Sequence, residues 1–257
     1  MSSPTASPTT AAPTAPTGQP TSPPSTLVTN IEETVLLTAP SSTLSNLDGG
    51  NTPQRQALDF LLREEDAVAT LPAWRIQQLF AMATLGYAAN LDAGGGQRWL
   101  NSYEECRYWG VTCDTSGAVA QINISGRDQG GELPEEISML PSLLFFDASS
   151  NECSGNIPEG FGLLPNLITL RLQQNSLTGN LPQSFANSSS IRNLLLDRNE
   201  LSGPFPSATL GQMTGLRVVS TFGNRFTGDI TGDLCSLELD TFLTDCENDG
   251  CYTRCID

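Results

Sequence analysis

The sequence predicts an α/β solenoid of about five 24-residue repeats, with a helical cap before the repeats and a Cys-rich cap after them. Three observations lead to this prediction. An Asn recurs at intervals of 24, 24 and 25 residues, an alternating apolar pair precedes each Asn, and two helical apolar stripes precede the first repeat. The predicted boundaries are 1–50 for a disordered stalk and linker, 51–118 for the N-terminal cap, 119–234 for the repeats and 235–257 for the C-terminal cap.

The chain begins with a Ser/Thr/Pro-rich segment. Of residues 1–26, 23 are Ser, Thr, Pro or Ala, so this segment has almost no apolar surface to bury. Such a composition is typical either of an O-glycosylated stalk or of a plain disordered tail. Residues 27–50 hold one short apolar run, Thr34 to Leu37, before another Ser/Thr/Pro/Gly stretch, and we predict that they are linker as well.

Two helices are predicted between the linker and the repeats. Thr52 followed by Pro53 is typical of a helix start, because Thr caps free N–H groups and Pro fits the first helical position. Two apolar stripes at helical spacing follow. The stripes are Ala57, Leu58, Leu61 and Leu62, then Ile76, Leu79, Phe80, Ala83 and Tyr87. A solenoid must cover its terminal apolar faces, so we predict that these helices form a cap rather than a cofactor pocket.

Each repeat contains the same columns of residues. The apolar pairs predict short strands with one buried face, since side chains alternate along a strand. These pairs are Ile122/Ile124, Phe146/Ala148, Leu170/Leu172, Leu194/Leu196 and Val219/Thr221. An Asn side chain can satisfy backbone groups where the chain bends, which predicts a stacked ladder. The ladder residues are Asn151, Asn175, Asn199 and Asn224, and Arg127 stands in their place in the first repeat.

These columns, written LxxLxLxxNxLxGxIPxxF, resemble the plant-type extracellular leucine-rich repeat. The segment WLNSYEECRYWGVTC, from Trp99 to Cys113, resembles the N-terminal cap of that family. The helical region before it is most similar to leucine-rich-repeat proteins of algae, diatoms especially. The resemblance covers residues 52–257. It implies a right-handed leucine-rich-repeat superhelix with receptor-like, inhibitor-like or defence-related binding.

The seven cysteines all follow residue 100. Cys106 and Cys113 are predicted to form a disulfide around Trp109, as in the cap of the similar family. Cys153 lies in an inward-facing column, which predicts a buried free thiol, with an intermolecular disulfide as the alternative. The remaining four allow three pairings, among which the sequence does not choose. These four are Cys235, Cys246, Cys251 and Cys255, and their spacing lacks the CxxC pairs of a zinc ribbon.

The paired cysteines indicate an oxidising compartment, and Asn-x-Ser sequences make Asn123 and Asn187 candidate glycosylation sites. We therefore predict an extracellular or cell-surface, membrane-associated glycoprotein. No positively charged and apolar leader follows Met1, and no run of ~18 apolar residues occurs. We expect either that a secretion signal or membrane anchor lies upstream of Met1 or that this chain is an excerpt of a longer one.

The composition excludes several chemistries. All 12 basic residues are Arg, and the absence of His and Lys excludes Ser-His-Asp catalysis, His-ligated zinc and Schiff-base formation on Lys. A net charge of −16 disfavours nucleic acid and anionic membranes as partners. Asp245, Glu247 and Asp249 alternate as in a calcium loop, but Ile256 stands where the bidentate Glu belongs, so an acidic cap is the preferred interpretation. We predict neither a metal site nor a cofactor.

The outward side of the repeat strands is the predicted binding face, because residues flanking each buried pair point away from the core. Aromatic and Arg side chains dominate binding hot spots, and they recur here among polar residues. The candidate ligand-binding residues are Phe145, Asp147, Arg171, Gln173, Arg192, Leu195, Asp197, Arg198, Arg217 and Phe222. Five strands at ~4.8 Å spacing give a face about 20–25 Å long, which suits one short partner segment. A glycan on Asn123 would shade its N-terminal end.

Three functions follow from this organisation. The preferred hypothesis is a recognition module for a protein, peptide or glycan. The Arg residues on the strands leave room for a short acidic peptide or sugar acid. The alternative is a structural coat or adhesion component, with the Ser/Thr/Pro segment as spacer. An enzyme is disfavoured, since no carboxylate pair of the kind that hydrolyses glycosides is singled out by the repeats. Nothing in the sequence indicates an oligomeric state.

Overall fold

A computed structural model of the 257-residue chain describes residues 26–47, 50–91, 99–230, 234 and 236–245. These segments contain twelve short strands, which follow one another in the repeats at regular intervals. The strands are β1 (Val111–Cys113), β2 (Val119–Asn123), β3 (Gly130–Glu132), β4 (Phe145–Asp147), β5 (Glu152–Ser154), β6 (Thr169–Arg171), β7 (Thr178–Gly179), β8 (Asn193–Leu195), β9 (Glu200–Pro204), β10 (Val218–Ser220), β11 (Arg225–Thr227) and β12 (Thr241–Leu243).

The main element is a seven-stranded sheet in the order β1-β2-β4-β6-β8-β10-β12. β1 is antiparallel to β2, whereas the other neighbours are parallel. The predicted apolar pairs all lie on its buried side, and the Phe146 and Phe161 rings pack edge to face with centroids 4.9 Å apart. Smaller sheets, β3-β5 and β7-β9-β11, line a second flank. The parallel sheet with short helices is the leucine-rich-repeat type of fold that the columns predicted.

The helices lie mostly before the sheet. They are α1 (Thr26–Thr38), α2 (Ser41–Leu47), α3 (Pro53–Arg63), α4 (Glu65–Val68) and α5 (Ala73–Ala88), with α6 (Ser207–Gln212) inside the repeats. The Thr52 side chain accepts the Arg55 N–H at 3.2 Å, so the predicted start of α3 is confirmed. None of the helices in the described segments is long and apolar enough to cross a membrane.

A buried polar network joins the helices to the sheet. The Gln78 amide nitrogen donates to Glu105 Oε1 at 2.6 Å and to Gly117 O at 3.0 Å, while its oxygen accepts the Val119 N–H at 2.7 Å. Arg75 forms an ion pair with the fully buried Glu105 at 3.3 Å. The predicted disulfide between Cys106 and Cys113 closes the loop that this network holds.

The Asn ladder is confirmed. The Asn175 amide nitrogen donates to Ala148 O at 2.9 Å and to Leu172 O at 3.0 Å, and its oxygen accepts the Cys153 N–H at 2.9 Å. Asn151, Asn199 and Asn224 make the same bridges one repeat apart. Each Asn thus satisfies backbone groups in its own repeat and in the one before it.

A second ladder, which the sequence analysis did not predict, lies at the short 3-10 helices that follow the Pro column. The Glu135 carboxylate accepts the N–H groups of Glu159 at 3.0 Å and Gly160 at 2.8 Å. The Glu159 carboxylate in turn accepts the Ser184 N–H at 2.9 Å. An acidic side chain in one repeat therefore caps the helix of the next.

Two predicted boundaries are corrected. Residues 26–47 form α1 and α2 rather than linker, because Ile31 and Val35 are fully buried against the other helices. β12 adds a sixth parallel strand inside the segment that was predicted as the C-terminal cap. Residues 1–25 of the predicted stalk lie outside the described residues, as do the four C-terminal cysteines (Cys235, Cys246, Cys251 and Cys255), Glu247 and Asp249.

Candidate functional site

The exposed side of the seven-stranded sheet, hereafter the strand face, brings the candidate residues together in rows. The strand register defines one row as Asn123, Asp147, Arg171, Leu195, Ser220 and Leu243. The row before it is Gln121, Phe145, Thr169, Asn193, Val218 and Thr241. Hydrogen bonds between successive loops place Ser125, Ser149, Gln173, Asp197 and Phe222 in the row after it.

The first cluster on the strand face joins β4 to β6. The Arg171 guanidinium lies 5.6 Å from the centre of the Phe145 ring and forms an ion pair with Asp147 at 3.6 Å. Asp147 is largely buried, and its other oxygen accepts the N–H of Ser149 at 2.9 Å and the Ser149 hydroxyl at 2.6 Å. Arg171 is thus oriented by an aromatic ring and a fixed carboxylate, while its side chain stays 45% exposed.

The second cluster lies two strands further along. The Arg198 guanidinium stands 5.3 Å from the centre of the Phe222 ring, and the Arg198 N–H donates to Phe222 O at 2.7 Å. Arg198 has a φ of 56°, in the left-handed region, so the chain turns here and carries the side chain out to the rim of the strand face. Phe145 and Phe222 are both half-buried, and each ring has an Arg guanidinium beside it. Such rings can serve as anchors for a partner.

Arg192 and Arg217 lie at the amino ends of β8 and β10. Arg192 Nη1 donates to Gly215 O at 3.4 Å. Arg217 Nη1 donates to Glu238 O at 2.8 Å and forms an ion pair with the Glu238 carboxylate at 3.4 Å. Both guanidinium groups therefore connect one repeat to the next. Fewer of their N–H donors are then free to bind a ligand. Arg127, in the first repeat, stacks on Trp109 at 3.8 Å.

Between the two Arg–aromatic clusters lie three polar side chains without partners, hereafter the acceptor cluster: Gln173, Asp197 and Ser220. Gln173 Oε1 and Ser220 Oγ are buried and have no hydrogen-bond partner. Asp197 is 8% exposed, and no described residue donates a hydrogen bond to its carboxylate or forms an ion pair with it. Gln173 as a whole residue is half-buried, whereas Asp197 and Ser220 are largely buried.

Large apolar side chains add to the strand face at positions that the sequence analysis did not single out. Leu144 and Ile168 precede β4 and β6 and are 39% and 40% exposed, and Leu243 on β12 is 48% exposed. Leu195, which was predicted, is half-buried. Leu144 and Ile168 could have been found from the repeat, because they occupy the same column as Arg192 and Arg217.

The candidate glycosylation sites lie on different parts of the solenoid. Asn123 is exposed on the first repeat strand, and its side-chain oxygen accepts the Ser125 hydroxyl at 2.8 Å. Asn187 is exposed at the end of the 3-10 helix Gln183–Asn187. That Asn123 and Asn187 are glycosylated stays a prediction.

Shifted pKa values fall on structural groups. Burial raises the pKa of the Cys153 thiol to about 11, which agrees with its predicted position as a free buried cysteine. Burial also raises the pKa of the Tyr108 hydroxyl, whereas the Ser116 hydroxyl hydrogen bond lowers the pKa of the exposed Asp114. These groups belong to the core and to a turn, away from the strand face.

A cavity of about 440 Å³ lies away from the strand face, where α2 and the start of α3 meet β3 and the Pro turns. Its lining includes Asn46, Glu132 and Asn156 but neither basic nor aromatic side chains. Within the described segments, no group of three or more His, Cys, Asp or Glu side chains is placed to hold a metal ion. The strand face therefore carries the richer set of binding groups.

Comparison with known proteins agrees with this architecture. The family described as Leucine Rich Repeat matches residues 166–188. A chain of the BIR3–SERK2 complex from Arabidopsis thaliana is 26% identical with a TM-score of 0.53, over 67% of this chain and 95% of that chain. The ectodomain of the receptor kinase SOBIR1 from Arabidopsis thaliana is 25% identical with a TM-score of 0.55, over 66% of this chain and 90% of that chain.

A longer ectodomain is also similar. The leucine-rich-repeat ectodomain of the plant membrane receptor kinase GASSHO1/SCHENGEN3 from Arabidopsis thaliana was solved with CASPARIAN STRIP INTEGRITY FACTOR 2. It is 31% identical with a TM-score of 0.55, over 59% of this chain and 19% of that chain. No curated protein sequence matches significantly. The predicted resemblance to plant-type extracellular leucine-rich-repeat proteins is confirmed, while the finer similarity to algal proteins stays a prediction.

Proposed function

We propose that this chain is an extracellular, non-enzymatic leucine-rich-repeat module that binds a peptide or protein segment along its strand face. One observation carries the proposal: two Arg–aromatic clusters flank a partly buried polar cluster on the same open face of the sheet. Arg and aromatic side chains held in fixed positions lose little conformational freedom when a partner binds, which favours affinity.

The rest of the molecule supports such a role. The similar GASSHO1/SCHENGEN3 ectodomain is in complex with a second molecule, and BIR3 and SERK2 are in complex with each other. In this proposal α1–α5 act as the N-terminal cap, the repeats present the face, and the disulfide Cys106–Cys113 suits an oxidising compartment. Exposed Leu144 and Ile168 extend the face with apolar area beside Phe145.

The proposal is tested by selecting binders from a displayed random-peptide library against the full chain, produced in a host that forms disulfides. The affinities of selected peptides are then measured by calorimetry for the unsubstituted chain, Arg171→Ala and Phe222→Ala. We expect each substitution to weaken binding at least tenfold, because each removes an Arg or aromatic anchor worth about 1.4 kcal/mol or more.

Arg225→Ala is the matched control. Arg225 is exposed on β11, on the second flank, where it forms a surface ion pair with Glu200 at 3.1 Å. Unchanged affinity in Arg171→Ala and Phe222→Ala would contradict the proposal for this face. Failure to select any peptide, together with dense surface display of the native protein, would favour the coat or adhesion role instead.

A further inference from the structure

We propose that the acceptor cluster, formed by Gln173, Asp197 and Ser220, is a subsite for a primary ammonium group, supplied by a lysine side chain or by the N-terminus of a bound peptide. This inference rests on the proposed function and names the part of the partner that the centre of the strand face recognises.

The three residues lie on neighbouring strands. The Gln174 N–H donates to Asp197 O at 2.9 Å, so the chains that carry Gln173 and Asp197 run side by side. The Leu196 N–H donates to Ser220 O at 2.7 Å, which brings Ser220 beside the chain of Asp197 on the other flank. Neighbouring strands are ~4.8 Å apart, so Asp197, on the middle chain, lies next to the chain of Gln173 on one flank and to the chain of Ser220 on the other.

The cluster contains a carboxylate and two neutral polar side chains but no cation. Gln173 Oε1 accepts hydrogen bonds, Ser220 Oγ accepts or donates, and the Asp197 carboxylate carries a negative charge. Leaving Gln173 Oε1 and Ser220 Oγ buried without a partner is unfavourable, and a largely buried acid in a protein normally has a cation or several donors beside it. A primary ammonium supplies three N–H donors and the missing positive charge together.

Nearby cations are engaged elsewhere. Arg171, which neighbours Leu195 on the adjacent strand, points to Asp147 and Phe145 on the far side. Arg198 stands over the Phe222 ring at the rim. Asp147 offers a comparison: it is a buried acid on the same face that does have its cation and hydroxyl partners. Asp197 is the buried acid of the strand face that lacks them.

The charge of the whole chain agrees with a basic partner. The net charge is −16, and an excess of acidic groups raises the rate at which cationic partners meet the surface. Phe222 follows Asp197 in the same row, so the hydrocarbon stem of a lysine would lie against an aromatic ring.

The test uses the full chain and small probes by ¹⁵N-labelled NMR. Nα-acetyl-lysine N-methylamide is titrated to millimolar concentration against the unsubstituted chain, with the norleucine analogue as the uncharged match. We expect the lysine probe to shift the amide signals of Gln173, Asp197 and Ser220, and the norleucine probe to leave them in place. No saturable shift with the lysine probe would overturn the proposal, as would equal shifts with norleucine.

Further probes separate the sources of the ammonium. Alanine N-methylamide with a free α-amine measures recognition of a chain terminus, and tighter binding than the lysine probe would assign the subsite to a peptide N-terminus. If Nα-acetyl-arginine N-methylamide bound more tightly than both ammonium probes, the proposal that the subsite prefers a primary ammonium group would be wrong.

Asp197→Asn keeps the shape of the side chain and removes its charge. We expect it to abolish the lysine-probe shifts while the melting temperature stays equal or rises, because a buried unpaired charge has been removed. A purely structural Asp197 would instead give a lower melting temperature. Asp128→Asn, an exposed acid beside the first repeat, is the control and should bind the probe normally.

The two proposals fail separately. If library-selected peptides bind with equal affinity to the unsubstituted chain and to Asp197→Asn, the peptide-binding function stands and the ammonium subsite is wrong. If the lysine probe binds in an Asp197-dependent manner but Arg171→Ala and Phe222→Ala leave peptide affinity unchanged, the subsite stands and the wider binding face is wrong.

Discussion

Replacing Asn199 with Ala tests whether the Asn ladder holds the repeats together. Asn199 is buried, and its amide nitrogen donates to Leu172 O at 2.9 Å and to Leu196 O at 3.1 Å. Its oxygen accepts the Leu177 N–H at 3.0 Å. The substitution therefore removes the hydrogen bonds by which Asn199 links its own repeat to the one before it.

The magnitude follows from which groups keep another partner. Leu172 O retains a hydrogen bond from Asn175 at 3.0 Å, and Leu196 O retains one from Asn224 at 3.0 Å. The Leu177 N–H loses the bond that Asn199 supplies. An unpaired buried N–H costs about 1–3 kcal/mol, and each weakened carbonyl about 0.5 kcal/mol. We expect the free energy of unfolding to fall by about 2–4 kcal/mol.

Urea unfolding followed by tryptophan fluorescence measures this change. With a slope of about 2 kcal/mol per molar urea, the midpoint should fall by about 1–2 M while the slope stays constant. Asn166→Ala is the control, since the exposed Asn166 donates a single bond to Pro141 O at 2.9 Å and should change stability by less than about 0.5 kcal/mol. Equal midpoints for the two variants would refute the role of the ladder.

Two other predictions concern the core. Gly131→Ala should lower the melting temperature more than Gly117→Ala: both glycines have positive φ, but only the Cβ at Gly131 collides with the Ala88 carbonyl, whereas Gly117 faces open space. Equal falls in melting temperature for the two variants would contradict the close packing of Gly131 against the end of α5. Cys153 should resist iodoacetamide at pH 8 in the folded chain, because raising its pKa from 9.0 to about 11 lowers the thiolate fraction about a hundredfold. Peptide mapping by mass spectrometry should find this thiol alkylated only after unfolding, and labelling of the native protein would contradict its burial.

The repeats could be predicted from the sequence because each column has the same local task in every copy. The alternating pairs, such as Leu170 and Leu172, fix which side of a strand is buried, and the Asn positions follow from the bend after it. Cys153 could be placed inside for the same reason, since its column holds Leu177 and Leu201 in later repeats.

The helices α1 and α2 could not be predicted, because their stability depends on distant contacts. Ile31 and Val35 are fully buried, yet Ser/Thr/Pro-rich sequence flanks their helix on both sides. The Thr43 hydroxyl donates to the buried carboxylate of Glu136, 93 residues further along the chain. Tertiary packing of this kind overrides a local composition that is typical of a linker.

The strand face shows a similar division. Alternation predicts that Asp147, Arg171 and Asp197 lie on the same side of the sheet, and the structure brings them there. Which acidic residue pairs with Arg171 depends on side-chain packing, and the alternation of residues along the strands does not predict it. Arg171 pairs with Asp147, and the largely buried Asp197 is left without a cation.

This pairing changes what the charges on the strand face imply about a partner. The number of Arg residues on the strands favours an acidic ligand, but a guanidinium already held by a carboxylate offers less to an anion. Arg171 is held by Asp147, and Arg217 by the exposed Glu238. The charge that lacks a partner at the centre of the face is negative, at Asp197. A peptide that combines an ammonium group for this centre with an apolar or carboxylate-bearing flank for Arg198 and Phe222 matches the face better than a uniformly acidic one.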